Sequence, residues 1–209
     1  TLSSSSAASD VYKRQHPHVA MLKETWLPDS EPMAVHVSGD IPSASGLGSS
    51  AALSAAASAA MHRLVHPDLP LDGDRLSEVA HLAEARAQEG RASPMDASTS
   101  VEGGVVVLSD KREAIGNWLY TRRLSTPEGE RRWEVHGLTP PDEEMYLVLG
   151  NTGIHAPTSR QVAMVAKALR TDPSRMREIE AIGTVARRGL SALLKLSLIH
   201  ISEPTRLRR

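Results

Sequence analysis

The stretch Asp40-Ile41-Pro42-Ser43-Ala44-Ser45-Gly46-Leu47-Gly48-Ser49-Ser50-Ala51-Ala52 limits what this chain can fold into more than any other. It separates an alternating segment, Ala34-Val35-His36-Val37-Ser38, which reads as a strand, from an alanine-rich run that reads as a helix over residues 50 to about 66. Gly46 and Gly48 let the backbone turn sharply and approach a bound group closely, because no Cβ intervenes. Ser49 and Ser50 then stand where the helix begins, beside unpaired backbone N–H groups and the positive end of the helix dipole. Such a junction can seat a phosphate and its metal ion. The structural alternative is a left-handed turn followed by a helix whose small residues pack closely on a sheet. The loop has neither the Lys-Ser/Thr ending of a Walker A sequence nor the G-x-G-x-x-G order of a dinucleotide fold.

Composition narrows the classes. The chain has 209 residues, enough for one large or two small domains with a real core. A net charge of −1 and a pI near 6.7 give no electrostatic reason to expect a nucleic acid or an anionic membrane as partner. With no cysteine, disulfides and thiolate metal sites are excluded. No apolar run approaches the roughly 18 residues that a membrane span needs, and the N-terminal Ser/Ala stretch has no signal-peptide apolar region. The expectation is a soluble protein of the cytoplasm. Phe is absent and aromatic residues make up 3%, so a core must be built from Leu, Val, Ile, Met and Ala.

Along the chain, residues 1–15 and 197–209 show no periodicity that continues into the middle. They read as non-native tails, translated from sequencing-adapter read-through. After the first helix, Pro67 and Asp68-Leu69-Pro70-Leu71-Asp72-Gly73 break the chain. A second helix is expected from about Asp74 to Glu89, with Gly90 as its C′ residue. Asp96 is expected in a loop, followed by a buried strand at Gly103-Gly104-Val105-Val106-Val107-Leu108-Ser109. Residues 114–137 suggest a hairpin turning at Thr126-Pro127-Glu128-Gly129. Pro140-Pro141-Asp142 reads as a domain boundary, with domains at 16–140 and 141–196. Beyond it come a strand at Met145–Leu149, a helix at about 158–170 and a last helix starting at Asp172-Pro173. In that last helix Met176, Ile179, Ile182, Ala186 and Leu190 recur at helical spacing and read as core.

The string P-x-x-x-G-L-G-S-S-A-A, carried here by Pro42 to Ala52, resembles the phosphate-binding motif of the GHMP kinases. Two further segments are similar to mevalonate kinases, and closest in wording to the archaeal type. One is Ser93-Pro94-Met95-Asp96 with Ser100 and Gly103-Gly104 downstream. The other is Leu149-Gly150-Asn151-Thr152-Gly153, continuing to Thr158 and Gln161–Val165. Together they run from about Pro17 to Lys195. The resemblance implies a two-domain α/β fold (α+β in some schemes), truncated at both ends. It also implies ATP and Mg²⁺ as cofactors, and phosphorylation of the primary alcohol of mevalonate in isoprenoid synthesis. A homodimer stays open.

The resemblance assigns roles residue by residue. Pro42, Gly46, Leu47, Gly48, Ser49, Ser50 and Ala51 would hold the nucleotide, and the Ser50 hydroxyl would meet the metal. Asp96 would act as base toward the acceptor hydroxyl; without the family its reading is an Asx-turn or a cap. The family's carboxylate ligand for Mg²⁺ falls, by spacing, on Ala85. At about 100° per residue, Leu76, Val79, Ala80, Ala83 and Ala87 share a helix face. Glu84 flanks that face while Ala85 points away, so Glu84 is the candidate, its alternative being a solvated glutamate. Thr158 could shape the substrate site or cap the next helix. His62 and His66, four apart, lack a third ligand and read as charges welcome at a helix C-terminus. The pairs Arg122-Arg123, Arg131-Arg132 and Arg187-Arg188 read as solvated.

The family's lysine-bearing first motif and its third, glycine-rich motif have no counterpart here. The chain reads as the middle of a longer gene, with little or no kinase activity expected of it as written. The alternatives are a GHMP kinase for another small alcohol (phosphomevalonate, a sugar or homoserine) and a non-catalytic ligand sensor on the same fold. Ser-x-x-Asp with the following Gly-Gly argues against homoserine kinase, and the presence of both Ser50 and Asp96 argues against a sensor.

Overall fold

The computed structural model describes residues 16–41, 46–126, 129–138, 148, 150 and 158–194. The chain divides into two compact units, residues 1–140 with 151–159 and residues 141–150 with 160–209. The expected non-native tails, the Met145–Leu149 strand apart from Val148, and the Asn151–Gly153 loop lie outside the described residues.

The first unit is built around four helices. Helix α1, Pro17–Trp26, starts with a proline, whose fixed φ and missing N–H suit a first helical turn. Helix α2, Ser49–Val65, is rich in alanine, the best helix former. Helix α3, Gly73–Ala87, is capped by Asp72, whose side chain accepts from the Arg75 N–H at 3.3 Å. Helix α4 covers Met95–Glu102. Val19 and Leu22 of α1, Ala57 and Met61 of α2, and Val79 and Ala83 of α3 form one buried cluster. Ala55, Ala80 and Ala97 form a second, where α2, α3 and α4 meet. Side chains this small let the three helix backbones approach closely, and that closeness sets the site described below.

Strands β1, Val105–Ser109, β2, Asn117–Thr126, and β3, Gly129–Leu138, form an antiparallel sheet in the order β1-β3-β2. The hairpin reading holds: β2 and β3 pair from Thr126 opposite Gly129 through to Asn117 opposite Gly137. One face of β2 packs on the helices. There Tyr120 is buried, and its hydroxyl receives the Ser77 Oγ hydrogen bond at 2.9 Å and donates to Glu102 Oε1 at 3.1 Å. Burial raises the Tyr120 pKa above its ordinary value. These bonds tie β2 to α3 and α4, and so fix where α4 lies.

Several expectations are corrected here. Ala34–Ser38 forms no strand: it joins no hydrogen-bond ladder of the described sheet, and an extended segment needs one. Its alternation is used for packing instead, with Met33 and Val35 against the α1–α2–α3 cluster. Strand β1 is half-buried, as suits a strand at the edge of the sheet. Helix α3 ends two residues earlier than expected, at Ala87. Glu89 takes the left-handed C′ position at φ 54° and Gly90 follows as C″, its N–H bonding the Ala85 carbonyl at 2.7 Å. Arg122 is no solvated charge: it is 5% exposed, ion-paired with Asp74 and stacked on the Tyr120 ring. Strand alternation puts residues 120 and 122 on the same, helix-facing side.

Helix α5 covers Thr158–Thr171, with Arg160 onward in the second unit, where a 3₁₀ turn covers Pro173–Arg175 and α6 covers Met176–Leu194. Asp172 opens the turn by accepting from the Ser174 N–H at 3.1 Å. The periodic apolar residues of α6 are not core. Ile182 is 65% exposed, Met176, Ile179 and Ala186 are exposed, and Leu190 is half-buried. Periodicity makes an apolar face; only a packed neighbour buries it.

Candidate active site

The N-terminus of α2 is the centre of the site. Gly48 is its N-cap in the left-handed conformation, φ 69°, and makes no side-chain cap. The Ala52 N–H pairs with the Gly48 carbonyl at 2.9 Å. The N–H groups of Ser49, Ser50 and Ala51 precede the first intrahelical bond and are donors for an anion. No acidic side chain of α2 itself sits in that first turn. Ala51 is fully buried. Gly46 and Leu47 are exposed in the preceding loop, and Pro42 lies outside the described residues.

Two carboxylates flank this helix end. Glu84 reaches it from α3: Ser50 Oγ donates to Glu84 Oε2 at 2.8 Å, and Ser54 Oγ to Oε1 at 3.0 Å. Gln88 Nε2 donates to Oε2 at 3.1 Å, and His18 Nε2 of α1 lies 3.3 Å from Oε1. Glu84 is 5% exposed, so its alternative as a solvated glutamate is overturned. Ala85 is buried as well, against expectation: α1, α2, α4 and β2 all pack on α3 and bury a wider arc than one apolar stripe. The Ser50–Glu84 pair offers hard oxygen donors at a separation close to the roughly 2.9 Å edge that metal–oxygen distances of about 2.0–2.1 Å give an octahedral Mg²⁺.

Asp96 approaches from the other side. It is not in a loop but in the first turn of α4, whose N-cap is Pro94. A Cβ built on Gly48 would lie 3.6 Å from Asp96 Cγ and 3.8 Å from Oδ2, so this exposed carboxylate sits directly over the glycine. Ala97, beside it in sequence, is locked into the small-residue contact with Ala55 and Ala80. Gly48, Ser50, Glu84 and Asp96 are thereby drawn together from three helices. Thr158 opens α5, and its side chain lies outside the described residues.

His62 packs edge-on against Trp26, ring centroids 5.1 Å apart, and tilts against His66. Among the described residues no group of three or more His, Cys, Asp or Glu is arranged to hold a metal ion. The residues that sequence reasoning missed are His18, Ser54 and Gln88. Ser54 is four residues from Ser50, and Gln88 four from Glu84, a spacing that puts each pair on one helix face. That signal was available; none marks His18.

A helix start with unpaired N–H groups, flanked by two carboxylates, has the groups that phosphoryl transfer needs, and the comparisons give a kinase family. The model of the GHMP kinases N terminal domain matches residues 11–104. Residues 11–104 thus carry an N-terminal domain of the GHMP kinase superfamily. The chain is 32% identical over 151 residues to the mevalonate kinase of Methanothermobacter thermautotrophicus, which covers 72% of this chain. The chain spans 41% of that relative's length. No solved structure matches it. Among the described residues no helix is long and apolar enough to cross a membrane.

Proposed function

We propose that the gene product carrying this chain is an ATP-dependent kinase of a small alcohol, with mevalonate as the acceptor. The observation that carries the reading is the placement of Asp96 over Gly48 while Glu84 meets Ser50 at the same helix end. The α2 N–H groups bind and orient the nucleotide phosphates. Ser50 and Glu84 would hold a Mg²⁺ ion, shared with phosphate oxygens and water, since this ion usually takes one or two carboxylates beside substrate phosphates. When bound, that ion neutralises charge on the phosphates. Asp96 takes the proton from the acceptor hydroxyl as its oxygen bonds to the γ-phosphorus. The bond from that phosphorus to the bridging oxygen breaks, and ADP leaves with the electron pair. Mevalonate as acceptor rests on the similarity to the Methanothermobacter mevalonate kinase. A location in the cytoplasm belongs to the same reading, as does the division into nucleotide-binding and second GHMP domains near residue 140.

The test is a coupled ADP-release assay on the whole gene product with mevalonate, phosphomevalonate, galactose and homoserine. Turnover with mevalonate well above the others is expected. ADP release with another alcohol alone would move the assignment within the superfamily, and ligand binding without turnover on any would make the protein a sensor.

A further inference from the structure

We propose that His18 is a positioning residue for Glu84, holding the back of its carboxylate so that the front faces Ser50. The inference rests on the reading of Ser50 and Glu84 as the metal pair.

The two carboxylate oxygens are used differently. Oε1 faces Ser54 Oγ at 3.0 Å and His18 Nε2 at 3.3 Å, while Oε2 faces Ser50 Oγ at 2.8 Å and Gln88 Nε2 at 3.1 Å. Each oxygen thus has two polar neighbours, and on Oε2 one of them is Ser50, the other member of the metal pair. The last torsion of a glutamate side chain is broad rather than staggered, so the chain alone does not aim the oxygens. Aiming must come from neighbours.

Ser54 shares α2 with Ser50, so it cannot orient Glu84 independently of that helix. His18 comes from a different element, and a firmly seated one. Leu22, four residues on and hence on the same face of α1, is fully buried, and Val19 is 2% exposed. His18 itself is largely covered, its side chain 17% exposed. An imidazole held by a packed helix against the far oxygen of a ligating carboxylate is the arrangement by which outer groups tune metal ligands. Once Oε1 is occupied, Oε2 is the oxygen presented to Ser50 and to the end of α2.

The experiment compares His18→Leu and His18→Gln with the wild-type gene product. It reads nucleotide affinity by thermal shift with ADP over a Mg²⁺ series, together with kcat and KM. His18→Leu is expected to weaken the magnesium-dependent part of ADP binding about 10- to 100-fold, the usual effect of losing such a partner. ADP binding in the presence of a chelator should be unchanged. His18→Gln, whose amide N–H can reach the same oxygen, should recover most of the loss. If His18→Leu gives no cooperative melt, His18→Asn, too short to reach Glu84, is read instead and should show the same loss. Equal magnesium dependence in wild type and the non-reaching variant, or a loss that His18→Gln fails to recover, overturns the role of His18. A wild type without magnesium-dependent nucleotide binding overturns the metal pair itself, and the proposal with it.

Discussion

Ser50 and Glu84 are 34 residues apart in sequence, yet the Ser50 hydroxyl donates to the Glu84 carboxylate at 2.8 Å. The bond joins the first turn of α2 to the last turn of α3. It forms because Ala55 and Ala80 let those two helices come close enough for a serine and a glutamate to meet. A larger side chain at either alanine would hold the helices apart, and the bond would be lost.

The contact should be measurable as a coupling energy. Ser50→Ala alone is expected to cost about 1 kcal/mol, the net worth of an ordinary hydrogen bond. Glu84→Ala should cost more, because it strands the buried Ser54 hydroxyl, and each stranded group costs about 1–3 kcal/mol. A double-mutant cycle in urea should give a coupling within the roughly 0.5–3 kcal/mol range of contacting residues. Strictly additive losses would mean that the two side chains do not interact.

Asp96 makes a different prediction, because it is exposed and lies over Gly48. Asp96→Asn should leave the melting temperature and nucleotide affinity nearly unchanged. Its turnover should fall about 100- to 10,000-fold, the range for loss of a general base. Steady-state kinetics beside a thermal melt decides it; undiminished kcat would remove Asp96 from the reaction.

Gly48 is held at φ 69°, a conformation that costs a residue with a Cβ roughly 1–2 kcal/mol. A Cβ there would meet Asp96 at ordinary van der Waals distance, so Gly48→Ala should destabilise through the backbone rather than by collision. Gly39→Ala, where a Cβ meets nothing within 4 Å, is the control and should carry no comparable loss. Urea midpoints of the two variants make the comparison.

The outer face of the sheet carries an acid-sensitive element. Glu134 has no exposed surface and accepts from Trp118 Nε1 and Thr121 Oγ1, each at 2.8 Å, and from Arg132. Burial by itself would raise its pKa, but these donors and the Arg132 charge outweigh that and lower it from 4.5 to about 2. Below 4.5 the unfolded chain takes up the proton more readily than the folded one. The stabilisation is therefore full above about pH 4.5 and fades as pH falls toward 2. Glu134→Gln should flatten the fall in melting temperature across that window; an unchanged slope would show that other carboxylates set the acid limit.

Local pattern was enough for helices α2 and α3 and for the β2–β3 hairpin, because alanine content, caps and turn residues act within a few positions of themselves. It also singled out Gly48 and Ser50, and the family resemblance added Glu84 and Asp96; the structure brings the four together at one helix end. It failed where an outcome depended on a distant partner. Ala34–Ser38 alternates like a strand but pairs with none of the described strands. The periodic face of α6 is largely open to solvent, and Arg122 is itself buried, paired with the exposed Asp74 and stacked on a tyrosine ring.

The amino-acid order alone determined a glycine–serine turn feeding an alanine helix, with an aspartate and a glutamate in the segments that follow. Tertiary structure alone decided that Glu84 points inward to Ser50, that Asp96 rides on a helix over Gly48, and that His18 stands behind the carboxylate. The reason is physical. Turns and caps are set by neighbours along the chain, whereas the aim of a buried carboxylate is set by donors that packing carries in from other helices.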